Sequence, residues 1–233
     1  MDEKIKRFKH CDPRFYPYLD KVFSRLPNEV RDGILGDEGF EILADKELPD
    51  ICGRCFCFDR PVEKLVYLNS RALMQPDHRL LCSIAWEIAD YVTRKKGGAG
   101  DERSIEELLV RWGFEREVTS VCFCDAVADS TVFKSGYEWA RRQSEEYVML
   151  HFGIYFDEWN ERGLAGMSGE RVESFRSKFS PSKLLPDSAR RVEKEVPEGF
   201  SVDEVLMEGI MAAVKEVKVQ EQEKQSRSEK RGI

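Results

Sequence analysis

The feature that most constrains this chain is where its strand-like segments lie. Three short runs with strand character sit close together: Phe40 to Ala44 (FEILA), Arg54 to Phe58 (RCFCF) and Lys64 to Leu68 (KLVYL). They alternate in polarity or are rich in β-branched and aromatic residues. The turn-forming stretches DKELPD and DRPVE separate them, and Asn69-Ser70 closes the third. Helical patterns precede the block. Between Pro13 and Leu26, Phe15, Tyr18, Leu19, Val22, Phe23 and Leu26 recur at helical spacing. Pro27 then opens a short second helix, PNEVRDGIL, which Gly36 ends. Strands gathered in one block with helices before and after predict an α+β chain rather than an alternating βαβ one.

After the strands the pattern is helical. From Pro76-Asp77, Leu81, Ile84, Ala85, Ile88 and Val92 form one apolar stripe. Arg94, Lys95 and Lys96 place positive charge at its C-terminal end, as the helix dipole favours, and the loop GGAG over 97–100 follows. Ser104 with Glu107 three residues on reads as a capping box for the next helix, IEELLVRW, which stops at Gly113-Phe114. Beyond Val121 strands largely disappear. Val132 to Phe152 reads as one long helix, Phe156 and Trp159 fall in a second piece ended by Gly163, and a third spans about Gly169 to Phe179. Pro181, Pro186 and Pro197 break the next stretch, and Ser201 caps a last helix carrying Val205, Leu206, Ile210, Ala213 and Val217. After Val219, QEQEKQSRSEKRGI has no apolar anchor before Ile233 and reads as a disordered charged tail. The expected organisation is a domain over 1–115, a helical domain over 116–219 and a tail over 220–233.

The segment VYLNSRALMQPDHRLLCSIAWEIADYV, a strand leading through a loop into a helix, resembles the core of the zincin metallopeptidases, in particular the minimal gluzincin type. The resemblance covers roughly residues 13 to 114. It implies a small mixed sheet with an active-site-type helix, reached from an edge strand. In that family the helix carries His-Glu-x-x-His, whose histidines grip one zinc while the glutamate activates bound water. Here the corresponding pentad is Trp86-Glu87-Ile88-Ala89-Asp90. Glu87 stands at the general-base position, and Trp86 and Asp90 replace the two histidines. The family's third ligand, a glutamate on the next helix, falls near Ser104, with Glu106 and Glu107 close by and Trp112-Gly113-Phe114 matching the end of that segment. An indole N–H is a donor with no lone pair for a metal, so the resemblance implies a degenerate site with Trp86, Asp90 and Ser104 at vestigial ligand positions. His10, His78 and His151 are the three histidines, and none lies four residues from another. The same helix also reads as an ordinary amphipathic core helix with Trp86 half-buried.

Two cysteine groups are further candidates for metal: Cys52, Cys55 and Cys57, and Cys122 with Cys124. Their spacing is not that of paired CxxC hooks, and small buried thiols packing as hydrophobes account for them equally. A CxxC redox pair lacks a thioredoxin-like context, and His151 is a candidate base for a cysteine nucleophile without any sign of an oxyanion hole. Near the middle of the helical half, Tyr137, Trp139 and Trp159 with Arg141 and Arg142 could form a binding face, or the aromatics could build the core of that half.

The net charge of −7 argues against nucleic acid as the main partner. No run approaches the ~20 apolar residues of a membrane span, and MDEKIKRFKHCDPRF has no apolar export core, so a cytoplasmic location and free thiols are expected. The sequence thus predicts a catalytically inactive metallopeptidase-like protein that acts by binding another protein, with no cofactor. The alternative is a hydrolase that has rebuilt a carboxylate or divalent-metal site around Glu87 and Asp90.

Overall fold

The computed structural model describes residues 3–45, 56–60, 63–97, 100–178, 196 and 200–231. The chain divides into two compact units, Met1–Val118 and Thr119–Ile233, where a boundary at 115 was expected.

In the first unit, 3-10 turns at Glu3–Arg7 and Pro13–Phe15 lead into α1 (Tyr16–Arg25) and α2 (Asn28–Leu35). The strands are β1 (Phe40–Asp45), β2 (Phe56–Arg60) and β3 (Glu63–Asn69). A 3-10 turn at Ser70–Met74, then α3 (Asp77–Lys95) and α4 (Glu102–Arg111), complete the run up to α5 (Glu115–Val127), which crosses the division. The sheet order is β1-β3-β2. β1 runs parallel to β3, with Phe40 opposite Lys64 and Asp45 opposite Asn69. β2 is antiparallel to β3, with Phe56 opposite Tyr67 and Arg60 opposite Glu63. A small mixed sheet among helices is an α+β arrangement, as the segregated strand block predicts.

Side chains alternate across a strand, and β3 buries Lys64, Val66 and Leu68 on one face while Leu65 and Tyr67 are half-buried. Phe40 and Ile42 of β1 are buried as well. Helix α3 covers this layer: the Tyr91 ring lies 5.2 Å from that of Phe40. Phe8 links the aromatic set, at 6.2 Å from Phe40 and 6.1 Å from Phe23 of α1. Each such large apolar side chain, fully buried, contributes about 1.5–3 kcal/mol. Arg7 ties the approach to β1 by donating to the carbonyls of Ile34 at 3.0 Å, Asp37 at 2.9 Å and Phe40 at 2.6 Å.

In the second unit the remaining helices are α6 (Thr131–Arg142), α7 (Glu145–Arg162), α8 (Gly169–Lys178) and α9 (Val202–Arg231). α6 and α9 touch backbone to backbone at two glycines. A Cβ on Gly136 would fall 2.4 Å from the Leu206 carbonyl oxygen, and one on Gly209 would fall 2.2 Å from that of Phe133. The core around this crossing holds Phe152, Tyr155, Phe156 and Trp159 of α7, Phe175 of α8, and Leu206, Met207, Ile210, Met211 and Val214 of α9.

Several elements depart from the sequence expectation. The single helix expected over 132–152 is two. Gln143 is extended (φ −82°, ψ 160°), and Ser144 restarts the helix by accepting from the Tyr147 N–H at 3.3 Å. α7 then runs without a break through Phe156 and Trp159 to Gly163, whose φ of 67° ends it. Asp101, not Ser104, caps α4: its carboxylate accepts from the Ser104 N–H at 3.0 Å and hydroxyl at 2.6 Å. α5 was not anticipated. The backbone of 220–231 is helical where a disordered tail was expected. Glu, Gln, Lys and Arg are good helix formers, and Gln220 donates to Glu216 one turn back at 2.9 Å. The Ser201 cap is present as a full capping box, with Glu204 Oε2 accepting from the Ser201 N–H at 2.6 Å. Most of DKELPD, the middle of the GGAG loop and the three loop prolines lie outside the described residues.

Candidate functional site

The pentad lies in the middle of α3, and the sheet hands it a cation. The alternation of β3 directs Lys64 to the same face as Val66 and Leu68, into the layer beneath α3, where its side chain is 1 % exposed. The Lys64 Nζ lies 3.1 Å from Glu87 Oε2 and donates to Asp90 Oδ2. Arg94, one turn further along α3, donates from Nε to Asp90 Oδ1 at 2.8 Å. Residues 87, 90 and 94 fall on one helical face at spacings of three and four. The result is a chain of alternating charge, Glu87–Lys64–Asp90–Arg94, in which Lys64 and Asp90 are buried.

Burying an ammonium is costly unless it is paired and hydrogen-bonded, and removing one partner from such a network costs about 3–5 kcal/mol. The loop after α3 adds a constraint. Gly100 has a φ of +63°, and a Cβ there would sit 2.6 Å from Asp90 Oδ1 and 3.1 Å from Arg94 Nε. The loop backbone therefore lies directly against the Asp90–Arg94 pair, and its positive φ favours glycine there.

A second charged group fixes the N-terminal side of the same layer. Asp37 accepts from the Tyr91 hydroxyl at 2.8 Å, from the Gly39 N–H at 3.0 Å and from Lys95. Burial raises the Asp37 carboxyl, but these hydrogen bonds and the Lys95 charge outweigh it and hold the group below its ordinary range.

The expected site residues fare unequally. Glu87 and Asp90 are brought together, with Lys64 between their carboxylates. Trp86 is half-buried on α3. Ser104 belongs to the first turn of α4, and its hydroxyl donates to Asp101. Glu106 is half-buried and Glu107 exposed, the latter pairing with Arg103 at 3.2 Å. Trp112-Gly113-Phe114 has a structural job: Gly113, at φ +85°, ends α4, and the Phe114 N–H bonds back to the Leu109 carbonyl at 3.0 Å. The buried Phe114 ring then carries the Arg25 guanidinium, 4.0 Å from its centroid. β3, which leads into the helix, is the central strand of the described sheet, whereas the zincin resemblance implies an edge strand there.

The aromatic face expected in the second unit is largely interior. Trp159 is fully buried, and its indole N–H donates to the buried carboxylate of Glu208. Trp139 packs edge-on against Phe152 at 5.7 Å. Tyr137 is half-buried and donates to Glu216; burial, then that bond, pushes its hydroxyl up to about 12. Arg141 lies 3.7 Å from Glu216, and Arg142 pairs with Glu138 at 2.9 Å. Trp159 is thus a core residue rather than a contact surface. A groove of about 210 Å³ does lie in this unit, lined in part by Arg141, Glu145, Val148, Met149, Val217 and Glu221.

Of the cysteines, Cys52 and Cys55 lie outside the described residues, as do the side chains of Cys57 and Cys124. Cys11 and Cys82 are buried thiols, and Cys122 is exposed on α5. Burial, then the Asp12 charge, raises the Cys11 thiol to about 12, far from a nucleophile's range. His151 is engaged with Tyr147, its Nδ1 2.9 Å from the Tyr147 carbonyl oxygen. Among the described residues no three His, Cys, Asp or Glu side chains gather as metal ligands, and no helix is long and apolar enough to cross a membrane.

Lys64, Arg94 and Gly100 are the members of the α3 network that motif reading passes over. The signal for Lys64 is present in KLVYL, where strict alternation puts the lysine in phase with Val66 and Leu68. No protein-family model, curated protein or solved structure matches this chain.

Proposed function

We propose that this chain is a catalytically inactive, zincin-like protein that works by binding another protein, and that the α3 network is a structural remnant of a cation site. The observation that carries this reading is the Lys64 ammonium lodged between Glu87 and Asp90. In a metallopeptidase helix the positive charge at this place is a metal ion that activates water. Here a covalently tethered cation supplies it. An ammonium has three N–H donors and no capacity to polarise a bound water as zinc does. The strand–turn–helix order from β3 to α3 is the part of the likeness that the sequence motif rests on, and the central position of β3 is the part that departs from it.

The same geometry bears on acid–base chemistry at Glu87 and Asp90. A general base needs a lone pair facing the substrate's proton, and both carboxylates have an oxygen turned to Lys64. The test is direct. Protein purified without added metal should contain far less than one zinc per chain and should not cleave casein. Stoichiometric zinc together with chelator-sensitive cleavage would overturn the proposal.

A further inference from the structure

Helix α7 is apolar on two sides. Val148, Phe152, Tyr155, Phe156 and Trp159 are buried in the core of the second unit. On another side Tyr147, Leu150 and Ile154 are 39, 75 and 50 % exposed. Their spacing of three and four sets them in one row along the helix. A single exposed leucine is ordinary, whereas a contiguous row of large apolar side chains marks an interaction surface.

The row has a definite electrostatic setting. Asp157 and Glu161 continue it by the same spacing at its C-terminal end, and Glu146, four residues before Leu150, flanks it beside Tyr147; all three are exposed. The Asp157 side chain remains 91 % exposed although Lys218 approaches it to 3.8 Å. No lysine or arginine of α7 falls on this row, and His151 beside it is packed on the Tyr147 ring at 4.2 Å. The face is an apolar centre with carboxylates at its C-terminal end and on its N-terminal flank.

That pattern selects among occupants. A second copy laid antiparallel would set Glu146 against Asp157 and Glu161, and one laid parallel would set each carboxylate on its like; both arrangements repel. An anionic lipid surface is repelled by the same charges. A helix with its own apolar row and with Lys or Arg at its ends complements the face in both respects.

We propose that the Tyr147–Leu150–Ile154 face of α7 docks a basic amphipathic helix of a partner protein. This deepens the binding reading above and rests on it. The two fail separately, because the zinc and proteolysis assays report on α3 alone. The probe is a labelled leucine–lysine peptide with a leucine stripe, titrated into the full chain, with a leucine–glutamate peptide of the same pattern as control. Saturable binding of the lysine peptide is expected, weakened by added salt, with no binding of the glutamate peptide. Leu150→Asp should weaken it by about tenfold or more, the effect of withholding one buried leucine. That variant adds a negative charge, so adhesion by charge alone would tighten instead. Leu150→Ser, a milder change, should weaken binding in the same direction with an unchanged circular dichroism spectrum. Equal or tighter binding by Leu150→Asp, or equal binding of the glutamate peptide, would overturn the proposal. So would a dimer that Leu150→Asp dissolves, or protection of Tyr147 from radical labelling in the monomeric chain, since each would show the face already occupied.

Discussion

The two units bring their principal elements together by opposite means. In the first, a strand and a helix meet across a buried charge, Lys64 against Glu87 and Asp90. In the second, two helices meet with nothing between them but backbone, at Gly136 and Gly209. The charged contact is directional and weakens if one member is removed, because the buried charge that remains is then less well balanced. The glycine contact is steric and fails if anything is added.

The largest effect should come from breaking the charged contact. Asp90→Ala strips both Lys64 and Arg94 of a partner and should destabilise the first unit by about 3–5 kcal/mol in urea unfolding. Replacing the pair together, as Lys64→Met with Asp90→Leu, should recover much of that loss, since an apolar pair of similar volume replaces a buried ion pair at little cost. If the double variant is as unstable as the sum of the single ones, the contact is not a coupled charge pair. Next in size, Gly209→Ala pushes a methyl group into the Phe133 carbonyl and should cost about 1–3 kcal/mol in the second unit. An undisturbed melting temperature there would show that α6 and α9 are less closely apposed. Gly100→Ala should cost about 1–2 kcal/mol through its left-handed backbone alone, and crowding of Asp90 adds to this. Combined with Asp90→Ala its effect should shrink.

The smallest effect concerns Asp37, which is half-buried but pairs with an exposed lysine, Lys95. Its carboxyl is held below the ordinary range, so its contribution is present at pH values above the unfolded carboxyl pKa of about 3.9 and is lost as pH falls through the folded value. Asp37→Asn should cost about 0.5 kcal/mol near neutral pH and leave a flatter acid limb in a pH series of unfolding midpoints. An unaltered acid limb would remove Asp37 from the account.

The contrast also explains how much of the molecule was legible in the sequence. The strand block, the α3 stripe and the Ser201 cap were readable because each is a local pattern with a local cause. The break at Gln143-Ser144 was missed because apolar residues continue through it, and the signal was a lone serine whose hydroxyl takes the Tyr147 N–H. Asp101 and Ser104 are both cap-forming residues near the start of α4, and the capping-box spacing to Glu107 favours Ser104, whereas the carboxylate of Asp101 takes the role. The aromatic run of the second unit was legible as core material, but which of its members face inward depends on where α6, α8 and α9 lie. Trp159 faces the core, whereas Tyr147 is exposed. At the candidate site, motif reading located Glu87 and Asp90. It missed their cation because Lys64 lies on β3, more than twenty residues away in sequence, and only the pairing of sheet and helix brings it in.

The central claim is that the positive charge held by Glu87 and Asp90 belongs to the chain itself. A crystal structure grown in excess zinc, with anomalous difference maps at the zinc edge, tests it most directly. The account predicts the Lys64 ammonium within hydrogen-bonding distance of both carboxylates and no anomalous peak between them. A zinc peak bound to Asp90, with Lys64 swung aside, would contradict it.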